Sequence, residues 1–317
     1  MPFKKFGLCD ELVQGILATG YTAPTEIQAE AIPLGLAGKD MICCAQTGTG
    51  KTAAFVLPIL NRIVISGKKT RKNKKVRSLI ITPTRELAIQ INDSVRGYGR
   101  FIKMRSIAIY GGSPMDKQIR ALKNGVDVVA ATPGRLLDHI QRGTINLSSV
   151  EVLVLDEADR MLDMGFIKDI RKIIEQISPN RQTMLFSATM SKGVTALTQN
   201  ILRSPKMIQI GTQHNPIDLI TQHIFPVTKD QKLELLLCML KRQQMYSVLV
   251  FSRTKRGADR ICRKLRQHDV KAEAIHSDRT QRQRLRSLEG FKSGKYKVMV
   301  ATDIAARGIN VTGISHV

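Results

Sequence analysis

Short apolar runs recur along the chain, each too brief for a buried helix and each closed by turn residues: "DMICCA" at 40–45, "SLIIT" at 78–82, "SIAIY" at 106–110, "DVVAAT" at 127–132, "VLVLD" at 152–156 and "TMLFSAT" at 183–189. Amphipathic stretches of helical spacing separate them. Strand, turn and helix in alternation is the rhythm of a parallel α/β sheet. After Ser204 and Pro205 the pattern lapses into "KMIQIGTQHNPIDLITQHIFPV", which contains Gly, Asn and two prolines, and then restarts with "YSVLVFS", "AEAIH" and "KVMVAT". The pattern predicts an α/β chain of two tandem parallel sheets flanked by helices. The first domain spans 1–207, a connector 208–225 is centred on Gly211 to Asp218, and the second domain spans 226–317.

Composition narrows the function. The 317 residues are 43% hydrophobic, enough for two cores, and 50 Lys plus Arg against 26 Asp plus Glu leave a formal charge of +24. Such an excess concentrates a polyanion at the surface, so nucleic acid is the expected partner. Aromatics make up only 4% and Trp is absent, which directs the expected grip to the backbone of the nucleic acid and away from stacked bases. The segment "SGKKTRKNKKVR" at 66–77 gathers Lys68, Lys69, Arg71, Lys72, Lys74, Lys75 and Arg77. It either tethers RNA phosphates or is a solvated surface loop. Cys9, Cys43, Cys44, Cys238 and Cys262 form no CxxC pair and no spacing suited to zinc. No stretch approaches ~20 uninterrupted apolar residues, so a cytoplasmic protein without membrane attachment is expected.

Two motifs carry chemistry. "AQTGTGKT" lies between the run "DMICCA" and the helical "AAFVLPIL", on a strand-to-helix turn. Gly48 and Gly50 let backbone amides curl inward, Lys51 reaches the β and γ phosphates of a nucleotide, and Thr52 offers its hydroxyl to Mg2+. Ala45 stands where the usual P-loop begins with Gly. "VLVLDEAD" supplies the second half of an NTPase: a strand delivers Asp156 to Mg2+, and Glu157 orients and deprotonates the attacking water.

With "DEAD" at 156–159, "AQTGTGKT", "PTRE", "TPGR" and "SAT", nearly the whole chain resembles a DEAD-box RNA helicase of superfamily 2. The opening "GYTAPTEIQAEAI" and the run "AQTGTGKTAAFVLPIL" are most similar to the bacterial RhlE type. The resemblance implies two RecA-like domains, ATP and Mg2+ as cofactors, and sequence-independent binding of single-stranded or short duplex RNA, which is locally unwound. It further implies ribosomal or RNA-degradation assemblies as partners. Gln28 matches the adenine-reading glutamine, and a carboxamide can donate to N7 and accept from N6 of adenine. Phe6 matches the aromatic that packs on the base, whereas Tyr21 is read as core. The implied nucleotide set is completed by Thr25, Gln46, Thr47, Thr49 and, in the second domain, Asn310. The RNA-facing loops are Pro83, Thr84 and Arg85, then Gly111 and Gly112, then Thr132, Pro133, Gly134 and Arg135. Ser187 and Thr189 of "SAT" are the implied relay to RNA, hydrogen-bonded to Asp159.

In the second domain "VFSRT" contributes Phe251 and Arg253, "QRQR" contributes Gln281 and Arg284, and "TDIAARGIN" begins with Thr302. Asn310 replaces the Asp that ends the family's "RGxD", and Ser277 stands where the family often has Gly. His276 and the other histidines are read as packing or hydrogen-bonding residues. The terminal "HV" resembles the start of a further strand, with the family's "HRxGRxxR" expected beyond it. The chain is therefore expected to be C-terminally truncated. The alternative to a helicase is an ATP- and RNA-binding module without turnover.

Overall fold

The computed structural model describes residues 2–46, 48–67, 75–211, 220–242, 244–303, 311 and 313–317. Thr47, the basic residues between 68 and 74, the centre of the connector and Asn310 with the residues from 304 onward that precede it lie outside the described residues. The chain divides into two compact units, Met1–Thr212 and Gln213–Val317. Among the described residues no helix is long and apolar enough to cross a membrane.

The first unit begins with a 3-10 turn at Pro2–Phe6 and continues through α1 (Asp10–Ala18), α2 (Glu26–Leu36), β1 (Met41–Cys44), α3 (Lys51–Ile65), β2 (Ser78–Ile81) and α4 (Arg85–Tyr98). Then come β3 (Ser106–Ile109), α5 (Met115–Lys123), β4 (Val128–Ala131), α6 (Pro133–Gln141), β5 (Val152–Leu155), α7 (Ala158–Asp163), α8 (Ile167–Glu175), β6 (Gln182–Ser187), α9 (Lys192–Ile201) and β7 (Lys206–Gln209). The seven strands form one sheet in the order β3-β4-β2-β5-β6-β1-β7, and every pairing is parallel. The apolar runs explain the architecture. In β5, Val152 and Val154 join the core on one face while Leu153 and Leu155 join the core on the other. A strand covered by helices on both sides has no polar face to show, so it reads as continuous rather than alternating.

Helix starts follow the local chemistry. Thr84 caps α4 by accepting from the Leu87 amide, Ser191 caps α9 by accepting from Val194, and Pro133 opens α6 where its missing N–H is not needed. The sequence pattern misses one strand. "KMIQ" forms β7 against β1, so the connector expected from 208 begins inside a strand. Its alternation is weak because, as an edge strand, it buries only Ile208.

The second unit holds α10 (Gln231–Leu240), β8 (Val248–Phe251), α11 (Lys255–Gln267), β9 (Ala272–Ile275), α12 (Gln281–Lys292) and β10 (Val298–Ala301). Among the described residues its three strands are parallel, in the order β8-β10-β9. His316 adds a parallel bridge to Val248, and the Leu249 amide donates to the His316 carbonyl.

The packing of α1 on α4 generates a test. A Cβ added at Gly15 would fall on the carbonyl of Tyr98 in α4, which is backbone and cannot turn away. Overpacking of this kind costs about 1–3 kcal/mol. Gly15→Ala is expected to lower the Tm of thermal unfolding by several degrees. An unchanged Tm would show that the two helices do not meet at this glycine.

Candidate functional site

The loops singled out in the first unit leave the carboxyl ends of the parallel strands. Ala45–Gly50 follows β1, Pro83 and Thr84 follow β2, Gly111 and Gly112 follow β3, Thr132 follows β4, Asp156 follows β5, and Ala188 and Thr189 follow β6. Open α/β sheets bind ligands along this edge.

The loop after β1 is tied to its surroundings at several points. The Ala45 amide donates to the Ser187 carbonyl at 3.0 Å. Thr49 donates its hydroxyl to the Gln46 carbonyl at 2.8 Å, and the buried Lys51 donates from Nζ to the Ala45 carbonyl at 2.8 Å. Gly50, the residue before α3, has φ +93°, and a Cβ there would run into the Gln28 carboxamide. Gly48, at φ +90°, opens onto free space. The first amides of α3 have no intrahelical acceptor, and the helix dipole favours an anion beside them.

Gln28 ties this loop to α2. It is fully buried, its Oε1 accepts from the Thr25 amide at 3.1 Å, and its Nε2 donates to the Gly50 carbonyl at 3.1 Å. It therefore fastens the start of α2 to the glycine on which the loop turns. A primary amide has two N–H donors and two acceptor lone pairs, so one of each remains for another partner. Phe6 is half-buried and stacks edge-on against Phe3 at 6.2 Å. Tyr21 packs on the same core and accepts a hydrogen bond from the Tyr98 hydroxyl.

Asp156 is 5% exposed, and its Oδ1 accepts from the Glu157 amide. Burial pushes its carboxyl up to about 6, against the opposing pull of the Lys51 ammonium. Glu157 is also buried and adopts φ +53°, a left-handed backbone rare for a residue with a side chain and worth about 1–2 kcal/mol of strain. Arg160, one helical turn on, donates to its carboxylate at 2.9 Å. This clamp was missed in the sequence, although the i, i+3 spacing was available to suggest it. Asp159 receives both the amide and the hydroxyl of Thr189, at 2.9 and 3.0 Å, and donates its own amide to the Ser187 hydroxyl at 3.3 Å.

The three loops expected to face RNA converge. A Cβ on Gly111 would lie 3.4 Å from the Arg85 guanidinium and one on Gly112 would lie 2.7 Å from it, so both glycines admit that side chain. Arg135 donates to the Ser113 carbonyl at 2.9 Å and pairs with Asp138. Thr132 and Pro133 are buried at the start of α6, and Gly134 is exposed.

The second unit has its own constellation. Phe251, 46% exposed, ends β8 opposite Ala301 of β10, so Arg253 and Thr302 leave adjacent strand ends. Gln281 opens α12 and is buried, with Arg284 one turn on. His276 is hydrogen-bonded to Asp259 at 3.1 Å, and Arg279 donates to the same oxygen at 2.7 Å.

The displaced carboxyl of Asp156 has a consequence for stability. Its folded pKa lies above the unfolded one, so its stabilising contribution is full below about pH 4 and is lost as pH rises through about 6. At neutral pH the buried charge costs roughly 2–3 kcal/mol. In chelator and without nucleotide, Asp156→Asn is expected to raise Tm at neutral pH, and the gain is expected to fade as the pH is lowered through this window. A Tm that is unchanged or lower at neutral pH would contradict this.

Comparison with known proteins follows the same lines. Residues 25–197 match the model of the DEAD/DEAH box helicase family, and residues 231–317 match that of the helicase conserved C-terminal domain. The chain is 45% identical over 315 residues to the ATP-dependent RNA helicase CshA of Listeria monocytogenes, covering 99% of this chain and 59% of that protein. It is 41% identical to the CshA of Geobacillus kaustophilus, covering 99% of this chain and 66% of the relative. The chain thus spans about three fifths to two thirds of these relatives' length. These relatives are of the CshA type and correct the RhlE expectation, which rested on two short stretches of the first domain. Among solved structures, a DEAD box protein of Methanococcus jannaschii matches at TM-score 0.62 and 37% identity, covering 99% of this chain and 83% of that one. Yeast Dbp5 bound to RNA and ADP BeF3 matches at TM-score 0.84 and 30% identity, covering 98% and 78%. Both units are therefore RecA-like, and the chain belongs to the DEAD/DEAH box helicase family as a DEAD-box member.

Proposed function

We propose that the chain acts as the core of an ATP-dependent RNA helicase, which binds single-stranded RNA without regard to sequence and locally separates short duplexes as ATP is hydrolysed. The observation that carries this reading is the convergence on Ser187: its carbonyl holds the phosphate-binding loop at Ala45, and its hydroxyl holds the acidic turn at Asp159. The names of the CshA relatives and the RNA in the Dbp5 structure support the same reading.

In this reading the amides at the start of α3, with Gln46, Thr47, Gly48, Thr49 and Gly50, cradle the phosphates, and Lys51 neutralises them. Thr52 at the start of α3 and Asp156 after β5 are hard oxygen donors, and a buried carboxylate set against the Lys51 ammonium is an environment that a divalent cation would relieve, so the residues fit Mg2+. Mg2+, when bound, would neutralise charge on the transferring phosphoryl group. Glu157, held by Arg160, would take the proton of the attacking water. Asp159, Ser187 and Thr189 form the relay to the RNA loops, where Thr84, Arg85, Thr132 and Arg135 take phosphates beside Pro83, Gly111, Gly112, Pro133 and Gly134. Phe251, Arg253, Gln281, Arg284 and Thr302 do the same in the second unit, and Asn310 meets the ribose. Work in the cytoplasm, in ribosomal or RNA-degradation assemblies, belongs to the same proposal.

Nucleotide choice tests it. Thr25 adjoins Gln28, whose remaining donor and acceptor would read adenine while Phe6 would pack on the base. Gln28→Ala is expected to weaken ATP binding by tenfold or more and to erase the preference for ATP over GTP in titrations with Mg2+ present. Equal weakening of both nucleotides would confine Gln28 to holding Gly50, and an unchanged ATP affinity would remove it from the site.

A further inference from the structure

The cavity of about 750 Å³ in the first unit lies away from the loops described above. Its walls include Lys75 and Arg77 just before β2, Arg105 just before β3 and Asp127 just before β4. These are the amino ends of the same strands whose carboxyl ends carry the RNA-facing loops. In a parallel sheet the two sets of ends lie on opposite edges, and four-residue strands separate them by at least about 13 Å.

The lining has two chemical characters. Ile63, Ile102, Met104 and Val126 give it an apolar floor, while Lys75, Lys103 and Arg105 are exposed cations at its walls. Arg77 is a structural cation: its guanidinium is buried, paired with Glu151 at 2.7 Å and donating to the Ser66 hydroxyl. Of the two acids in the lining, Asp127 accepts from the Arg105 amide at 2.8 Å, and Glu11 stands on α1. Arg105 also donates to the Asn124 carbonyl, which holds its side chain along the wall. Phe101 completes the lining. It is 49% exposed, and the Arg100 guanidinium lies 5.3 Å from its ring centre.

An exposed aromatic ring, an apolar floor and long-stemmed lysines around them are the parts of a single-strand binding site, in which bases stack and cations follow the backbone. Free inorganic phosphate would use the cations and leave the ring idle. A duplex would keep its bases out of reach.

We propose that this cavity is a second RNA-binding site, which stacks a base of single-stranded RNA on Phe101 and holds the neighbouring phosphates with Lys75, Lys103 and Arg105. It rests on the reading of the chain as an RNA-binding helicase core, and it extends the RNA path from one edge of the first sheet to the other. Gly67 and Lys75 both line the cavity, and the sequence between them carries Lys68, Lys69, Arg71, Lys72 and Lys74. Those residues lie outside the described residues and form no part of the site.

A strand long enough to engage both edges gains from the second site by effective concentration, and a short one does not. The test uses the full chain and end-labelled oligouridylates of roughly six and roughly twenty nucleotides, lengths that bracket common single-strand site sizes. The double variant Lys75→Glu, Lys103→Glu and the single variant Phe101→Ala are each expected to weaken the long strand about five- to tenfold. The short strand should stay within about twofold. The double variant should also flatten the salt dependence for the long strand by about 0.7 for each phosphate it no longer neutralises. Photocrosslinking of a strand carrying 5-iodouridine should label the peptide that contains Phe101. Long-strand affinity unchanged in both variants would overturn the proposal and leave the cavity to a partner such as an acidic protein. An effect of the lysines without an effect of Phe101 would overturn the base-stacking site in favour of bare phosphate attraction. Arg85→Ala with Arg135→Ala separates the two readings. If that pair leaves short-strand binding intact while the Phe101 crosslink persists, the carboxyl-edge assignment fails and the cavity stands.

Discussion

The hydrogen bonds of Ser187 hold the candidate site together. β6 lies between β5, which delivers the acidic turn, and β1, which delivers the loop proposed to bind phosphates. At its end Ser187 is fully buried: its carbonyl accepts from Ala45, its hydroxyl accepts from the Asp159 amide and donates to the Thr189 carbonyl at 2.7 Å. One residue thus fixes the loop that would hold phosphates, the turn that would hold the metal and the segment that follows β6. A displacement of any one is felt by the other two, because a buried polar group that loses its partner costs about 1–3 kcal/mol.

The same edge concentrates features that weaken the fold. Asp156 is a buried carboxylate, Glu157 has a left-handed backbone, and Gly48 and Gly50 turn with positive φ. Each is unfavourable for a chain that only has to fold, and sites that bind and react are where such features gather. The compensation lies in the cores above and below the sheet, where residues from alternate positions of every central strand are sealed between helices.

How much of this could be read from the sequence depended on whether the signal was local. The strands β1 to β6, β8 and β10 were legible because apolar runs ended by turns leave few other structures, and β9 because Glu273 alone interrupts its run. β7 was lost among Gly, Asn and Pro because an edge strand needs only one buried residue. The glycine loop after β1 and the acidic turn after β5 stood out as motifs, and the loops proposed to face RNA only through a family resemblance. What the sequence could not display was distance across the sheet: the approach of Gln28 to Gly50, of Ala45 to Ser187, or of Arg85 to the paired glycines joins residues that only strand order brings together. The cavity at the amino edge was hidden for the same reason, since Lys75, Phe101 and Lys103 come from two different connections.

The central claim is that the loops after β1, β5 and β6 respond to nucleotide as one unit through Ser187. Amide hydrogen exchange of the chain, with and without ATP and Mg2+, reads this directly. The account requires that Ala45–Thr52, Asp156–Asp159 and Ser187–Thr189 gain protection together, and that Ser187→Ala leave the gain at Ala45–Thr52 while losing it at the other two. Protection confined to Ala45–Thr52 in the unaltered chain, or absent from all three segments, would contradict it.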